Sequence, residues 1–142
     1  MRYWGVVVAW MAVISMMSSE PFSAANTHRY IDPVLRFLFP DLTPSGFVLA
    51  HSIIRKTAHL VEFFVLGALS YWALRRGRLP AWRGRWALQA LVIAGAFALV
   101  DEAHQRFVAS RTGSLTDSLI DFCGAALSQA VTFVRYRKKG DP

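Results

Sequence analysis

Four apolar stretches run through the chain and restrict its fold more than any other feature. They cover residues 3–18, 57–74, 87–105 and 116–134. A helix of about twenty apolar residues can cross a lipid bilayer. With 54% hydrophobic residues, a chain of 142 residues has too little polar surface to wrap four such stretches as the buried helices of a soluble bundle. We therefore predict an all-α integral membrane bundle of four transmembrane helices, with the soluble bundle as the alternative.

Small side chains recur at helix-packing spacing within these stretches. The third stretch contains Ala90, Ala94 and Ala98, and the fourth contains Gly124 and Ser128. Small residues four positions apart let neighbouring membrane helices approach closely, so we expect the stretches to pack on each other. The first stretch has a second interpretation, a signal peptide cleaved near "SSEPFSAAN" at residues 18–26. Cleavage would leave three spans without changing the orientation of the others.

The positively charged residues indicate how the spans are oriented. The net charge is +7, and basic residues collect in the link 75–86 and the tail 135–142. These residues are Arg75, Arg76, Arg78, Arg83 and Arg85 in the link, and Arg135, Arg137, Lys138 and Lys139 in the tail. Because basic residues collect on the cytoplasmic side of a membrane, we expect both termini and the link to be cytoplasmic and the loop 19–56 to be extracytoplasmic. The basic clusters thus indicate topology, with anionic lipid headgroups as a secondary contact and no nucleic-acid partner.

One short motif suggests a nucleotide chemistry that the rest of the chain does not support. Residues 101–104 spell "DEAH", which also occurs in helicases. Such ATPases need a Gly-rich phosphate loop that ends in Lys-Ser or Lys-Thr, and the sequence has none. The helicase class is therefore excluded.

The loop 19–56 contains a segment that is too short to cross a membrane and too apolar to lie in water. Its "YIDPVLRFLFPDLTP" at residues 30–44 places apolar residues between three prolines. We predict a short interfacial helix or re-entrant piece in this first outer loop. It would either cover the helix ends or form a lid over a site.

Ionisable residues from three predicted helices collect at one depth. Arg55, His59 and Glu62 share one face of the second helix by their spacing. The third helix ends in Asp101, Glu102, His104 and Gln105, and the fourth starts with Asp117 and Asp121. At about 1.5 Å per residue, we expect four of them to lie within roughly 10 Å of the outer boundary of the bilayer, namely His59, Glu62, Asp101 and Asp121. A carboxylate there costs about 3 kcal/mol or more unless it is paired or faces water.

This group has two interpretations. One is a buried ion network that only fixes the register of the helices, in which the cations are Arg55, Lys56, Arg106 and Arg111. The other is a polar pocket that opens to the extracytoplasmic side. Paired buried charges often add little net stability, which favours the pocket.

The residue types in this group suit more than one chemistry. His59, Glu62, His104 and the aspartates offer nitrogen and oxygen ligands for a metal, but the sequence lacks the helical HExxH zinc pattern. Alternatively, His59 is a general base oriented by a carboxylate, with Arg55 or Arg111 binding a phosphate. Proton-coupled transport would need polar residues along the whole path, and the inner halves of the stretches lack them. Whether a metal or another cofactor binds stays open.

Two blocks of sequence resemble the VanZ-like family of small bacterial membrane proteins, named after a teicoplanin-resistance protein. The first block, "IIRKTAHLVEFFVLG" at residues 53–67, carries Arg55, Lys56, His59, Glu62 and Phe63. The second, "DEAHQRFVASRTGSLTDSLIDFCG" at residues 101–124, carries Asp101, Glu102, Gln105, Phe107, Arg111, Asp117 and Gly124. The chain departs from the family pattern at Ala109-Ser110, where Pro-Gly is frequent, and at Asp121, where Asn is common.

The resemblance implies one VanZ-like domain over residues 1–142, with its core at 55–124, in the bacterial inner membrane. Some family members are linked to lowered susceptibility to glycopeptide antibiotics, but the resemblance implies no particular reaction. We interpret the polar group as a pocket that binds or modifies the headgroup of an envelope lipid or lipid-linked precursor. We expect His59, Glu62 and Asp101 to carry any proton chemistry, and the ligand contacts to come from Arg55, Lys56, Glu102, His104, Gln105, Arg111, Asp117 and Asp121. The alternative is a non-enzymatic binding or assembly protein whose charge network is structural.

Overall fold

Five α-helices make up the fold in the computed structural model, which describes residues 2–19, 21, 24–76, 82–107 and 115–137. The helices are α1 (Arg2–Met17), α2 (Ala24–Leu38), α3 (Pro44–Arg75), α4 (Gly84–Arg106) and α5 (Leu115–Arg137). No strand occurs within those ranges. The prediction of an all-α fold is confirmed.

Four of these helices contain the four apolar stretches of the sequence, apart from Ser18 at the end of the first stretch. Two of them, α3 and α4, are long and apolar enough to cross a membrane. Helix α1 is apolar but has only 16 residues, and α5 carries Asp117 in its first turn and Asp121 one turn later. Length and composition therefore support membrane spans for α3 and α4, while spans at α1 and α5 stay a prediction.

The longest helix, α3, begins well before the apolar stretch that predicted it. It starts at residue 44 rather than 57 and contains 32 residues. The Thr43 hydroxyl caps it by accepting a hydrogen bond from the Gly46 N–H at 3.2 Å. Pro44 fits the first turn, where its missing N–H would have no partner within the helix. Part of the predicted loop 19–56 is therefore helical, and it carries His51 and Arg55.

Helix α3 is also the centre of the bundle, since it contacts the other four helices. The core joins α3 to α1, α4 and α5 through Val7, Ile14, Phe63, Leu66, Ala94, Ala98 and Ala125. The predicted packing residues Ala90, Ala94 and Ala98 are all buried. At Gly124, a Cβ atom would overlap the backbone carbonyl oxygen of Leu60. Helices α3 and α5 therefore meet backbone to backbone, as the small side chains predicted.

The two ends of the bundle differ in charge. The end where α4 finishes and α5 begins, called here the polar end, buries His59, Glu62, Asp101, Glu102, Gln105, Asp117 and Asp121. The opposite, basic end carries Arg75, Arg76, Arg83, Arg85 and Arg135. There the backbone N–H of Arg83 donates to the Tyr71 hydroxyl at 3.0 Å and ties the start of α4 to α3. The ionisable groups thus collect at opposite ends of the bundle.

Helix α2 is the segment predicted to be interfacial, and it packs against the start of α3. It begins six residues before the predicted segment and contains Pro33. Leu35 is buried, and the Arg36 guanidinium lies 4.7 Å from the centre of the Phe47 ring. Other large apolar side chains of α2, including Tyr30 and Phe37, are exposed. This division into a packed face and an exposed apolar face is typical of a helix at a membrane surface.

Candidate functional site

A cavity of about 280 Å³ lies between α2 and α3 at the polar end. Its wall comes mainly from Thr27, His28 and Ile31 of α2 and Val48, His51, Ser52, Ile54, Arg55, Ala58, His59 and Glu62 of α3, with Met17 of α1. Apolar walls with a few polar groups are characteristic of small-molecule sites. Of the predicted site residues, three line this cavity: Arg55, His59 and Glu62. Helix α2 therefore forms one side of the cavity, while its role as a cover or a lid stays a prediction.

Arg55 connects the cavity to α5. Its Nη2 atom donates a hydrogen bond to Asp117 Oδ2 at 3.4 Å. The Arg55 side chain keeps 38% of its surface exposed, whereas Asp117 is buried. Its Nε–H group is buried and has no hydrogen-bond partner among the described residues. Arg55 is thus held by a carboxylate while part of its side chain stays exposed on the cavity wall.

A second carboxylate of α5 orients the His59 ring. The Nδ1 atom of His59 lies 3.1 Å from Asp121 Oδ1, and both side chains are buried. An ionised carboxylate can only accept, so this contact places a proton on Nδ1 and leaves Nε2 as the second ring nitrogen. A carboxylate that fixes an imidazole in this way prepares it for proton transfer. In this chain the orienting group is Asp121.

Glu62 lies on the cavity wall one turn after His59 and is buried. Its backbone carbonyl accepts a hydrogen bond from the Trp10 indole N–H at 2.9 Å, which ties α1 to this part of α3. The carboxylates of Glu62, Asp101 and Asp121 all interact electrostatically with the His59 ring. Three helices therefore contribute charge to the surroundings of one histidine.

Asp101 occupies a separate position between α4 and α1 and does not line the cavity. Its Oδ2 atom accepts hydrogen bonds from Ser18 Oγ and from Gln105 Nε2, both at 2.7 Å. Gln105 Nε2 also donates to Ser18 Oγ at 3.2 Å. The other oxygen, Asp101 Oδ1, is buried and has no hydrogen-bond partner among the described residues. Asp101 and Gln105 thus belong to a polar cluster behind the cavity.

The remaining predicted site residues have different surroundings. Glu102 is buried on α4, with its Oε1 atom 3.5 Å from Arg106 Nε. Lys56 and His104 are exposed, so they do not join the buried group. Arg111 lies outside the described residues. The structure brings Arg55, His59, Glu62, Asp117 and Asp121 together, with Asp101 and Gln105 beside them.

Sequence reasoning missed four polar residues of the polar end. Ser18, at the end of the first apolar stretch, is the partner of Asp101. His28, Asp32 and His51 meet where α2 packs on α3: Asp32 Oδ1 lies 2.6 Å from His51 Nε2 and 3.3 Å from His28 Nδ1. The hydrogen bond with His51 lowers the pKa of the Asp32 carboxyl below its ordinary value. The i, i+4 spacing of His28 and Asp32 indicates that both lie on one helical face, but His28 precedes the segment 30–44 that was predicted to be interfacial.

A model of a protein family matches nearly the whole chain, in agreement with the fold and with the polar end. The family model described as VanZ/LLP1 matches residues 3–135. The chain belongs to the VanZ/LLP1 family. No curated protein and no solved structure matches it. The VanZ/LLP1 match confirms the resemblance of the blocks at 53–67 and 101–124, and with the apolar helices α3 and α4 it indicates a membrane protein.

Proposed function

We propose that this VanZ/LLP1 protein binds or modifies the anionic headgroup of a cell-envelope lipid or lipid-linked precursor. In this proposal α1, α3, α4 and α5 span the bacterial inner membrane, both termini are cytoplasmic, and the polar end lies in the outer leaflet. The observation that carries the proposal is the cavity between α2 and α3, whose wall contains Arg55, His59 and Glu62. The link to glycopeptide susceptibility comes from the family and supplies a phenotype for testing.

The distribution of side chains supports membrane spans at all four helices. Exposed apolar residues occur on each of them, such as Val8 on α1, Val61 on α3, Val92 on α4 and Leu127 on α5. The carboxylates of the polar end are buried instead, namely Glu62, Asp101, Glu102, Asp117 and Asp121. In water this arrangement would expose large apolar areas, which soluble monomers rarely do. In a bilayer it places apolar groups against lipid and charges inside the bundle.

The length of α3 supports the position of the cavity near the outer surface. Its 32 residues extend over about 48 Å at about 1.5 Å per residue, whereas the hydrocarbon core of a bilayer is about 30 Å thick. With the basic end placed at the cytoplasmic surface, the start of α3 projects beyond the hydrocarbon. The amphipathic α2 packs there, at the depth of lipid headgroups.

The chemistry of the cavity wall fits a phosphate-bearing headgroup. Arg55 offers a guanidinium, the side chain best matched to phosphate oxygens. His59, oriented by Asp121, is suited to accept or donate a proton at a bound headgroup. Apolar wall residues such as Val48 and Ile54 suit the first carbons of a lipid tail. Arg55 therefore acts in binding, and His59 and Glu62 act in any proton transfer.

The same geometry supports one alternative, a non-enzymatic binding or assembly protein. Asp117 and Asp121 each already face a basic group of α3, at 3.4 Å and 3.1 Å. These pairs join α3 to α5 across the polar end, and in this alternative their role is only to stabilise the fold. In this alternative the cavity binds a partner or ligand without proton chemistry.

Identification of the lipid that purifies with the protein tests the proposal directly. The full chain is extracted gently from membranes, and lipids retained after washing are identified by mass spectrometry. We expect a phosphate-bearing envelope lipid to be enriched over the bulk membrane, and Arg55→Gln to lose this enrichment. Arg29→Gln is the matched control, because Arg29 is an exposed arginine of α2 that does not line the cavity. Equal retention by Arg55→Gln and wild type would contradict the assignment.

A further inference from the structure

Two histidines and an aspartate converge at the contact between α2 and α3. Their ligand atoms, one nitrogen from each of His28 and His51 and one oxygen from Asp32, all lie within 4.8 Å of one another. Among the described residues this is the one group of three His, Cys, Asp or Glu side chains that converges in this way. None of the three was predicted as a site residue, and none belongs to the two family blocks.

The positions of the three side chains are set by packing. His28 and Asp32 are one helical turn apart on α2, so they share a face. Helix α2 is held on α3 by the buried Leu35 and by Arg36 over Phe47. His51 is fixed on the long α3, in the part that begins at the Thr43 cap. Two anchored helices, rather than a loose loop, therefore present the three groups.

We propose that His28, Asp32 and His51 form a binding site for a divalent transition-metal ion such as Zn²⁺. Imidazole nitrogens and carboxylate oxygens are ligands that zinc prefers, and metal–ligand bonds of about 2.0 to 2.1 Å set ligand atoms about 3.3 Å apart in a tetrahedron. Asp32 Oδ1 lies 2.6 Å from His51 Nε2 and 3.3 Å from His28 Nδ1, and all three ligand atoms lie within 4.8 Å of one another, so the separations are close to that value. Small side-chain rotations suffice to adjust them.

The arrangement brings the ligand atoms of a metal site to one point. One oxygen of Asp32 faces both histidines, and the two rings lie only 3.9 Å apart between their centres. Two neutral rings can each donate an N–H to this oxygen, whereas two protonated rings at that separation would repel each other. A divalent ion instead binds both neutral rings and the carboxylate at once. The side chains of His28 and Asp32 are 45% and 32% exposed, which provides an entry path.

The site adjoins the cavity but is distinct from the proposed headgroup residues. His28 and His51 line the same cavity as Arg55 and His59. Three protein ligands leave the fourth position of a tetrahedral ion for water or an anionic oxygen, as in catalytic zinc sites. The metal ligands do not include Arg55, His59 or Glu62. Metal binding and headgroup binding can therefore succeed or fail independently.

Cobalt provides a direct test on the purified full chain. The protein is purified in detergent with an affinity tag that contains no histidine, stripped with a chelator and titrated with Co²⁺. We expect one Co²⁺ per chain, visible absorption bands typical of nitrogen and oxygen coordination, and displacement by Zn²⁺. Absence of saturable Co²⁺ and Zn²⁺ binding by the wild type would overturn the proposal.

The four histidines of the chain supply matched variants. His28→Gln and His51→Gln should each weaken binding by at least about tenfold, since loss of even a group behind a metal ligand costs that much. His59→Gln and His104→Gln should bind as the wild type does. Circular dichroism and gel filtration report whether each variant is folded, and the exposed His28 decides the result if His51→Gln does not fold. Binding unchanged in His28→Gln, or lost in His104→Gln, would overturn the assignment.

Discussion

His59 of α3 and Asp121 of α5 share a buried contact of 3.1 Å although 62 positions separate them in the chain. The contact orients a histidine on the wall of the cavity from the side of α5. Gly124, one turn later on α5, allows the backbones of the two helices to approach closely enough for this pair to form. The close packing at Gly124 therefore also determines the geometry of the candidate site.

The first prediction concerns this pair. Asp121→Ala should lower the free energy of unfolding by about 1 to 3 kcal/mol, because it leaves the buried Nδ1–H of His59 without its acceptor. Asp121→Asn should lower it much less, because its amide oxygen still accepts that hydrogen bond. Unfolding of the purified variants in detergent, followed by circular dichroism, measures both. Equal losses in the two variants would show that the charge of Asp121, rather than its oxygen, stabilises the bundle.

The second prediction separates function from stability at the polar end. Glu62→Gln, Asp101→Asn and His59→Gln keep side-chain volume while removing charge or proton chemistry, and the Asn oxygen at 101 can still accept from Ser18 and Gln105. We expect at least one of the three to accumulate normally in the membrane and lose the envelope phenotype that the wild type confers, such as the proposed effect on teicoplanin susceptibility. Membrane abundance by immunoblot and growth at graded teicoplanin concentrations measure the two quantities.

Two results would contradict that expectation. If each variant lost abundance and phenotype together, the charges would serve the fold, as in the structural alternative. If all three kept full activity, neither acid–base chemistry nor charge pairing at these positions would be required for function.

The third prediction tests the backbone contact between α3 and α5. Gly124→Ala should destabilise the protein by about 1 to 3 kcal/mol or more, because the new Cβ overlaps the backbone carbonyl of Leu60 and the helices must move apart. Gly5→Ala is the control within α1, since a Cβ there meets no atom within 4 Å. Alanine is favoured over glycine in a helix, so the control should be neutral or slightly stabilising. Thermal unfolding in detergent compares the two, and equal stability would mean that the bundle accommodates the added methyl group.

The fourth prediction concerns topology. In a Cys123→Ser background, which removes the native thiol, single cysteines replace Asp41, Gly77 or Lys139. A membrane-impermeant maleimide should label position 41 in intact cells and positions 77 and 139 only after lysis, because the proposed orientation places the basic link and tail in the cytoplasm. Labelling of position 77 from outside would reverse the orientation and move the polar end away from the outer leaflet.

The sequence predicted the helices, their small-residue packing and a set of site residues, because these properties repeat along one helix. Apolar length located α1, α3, α4 and α5, and four-residue spacing placed Ala90, Ala94 and Ala98 in the core. The i, i+4, i+7 spacing put Arg55, His59 and Glu62 on one side of α3, where they line the cavity. Hydropathy did not predict the first turns of α3, because polar residues such as His51 and Arg55 lower the mean hydropathy of that segment. The Thr43–Pro44 cap was the signal that marked the true start.

Only the tertiary structure decided which polar residues meet. Helical periodicity states which face a residue occupies but not which helix lies opposite, so it could not pair Ser18 with Asp101 across 83 positions. It also could not distinguish the buried Glu102 from the exposed Lys56 and His104 of the same blocks. The convergence of His28, Asp32 and His51 depends on how α2 docks on α3. Local sequence determines helices and their faces, whereas contacts between helices depend on side chains far apart in the chain that pack together only in the folded bundle.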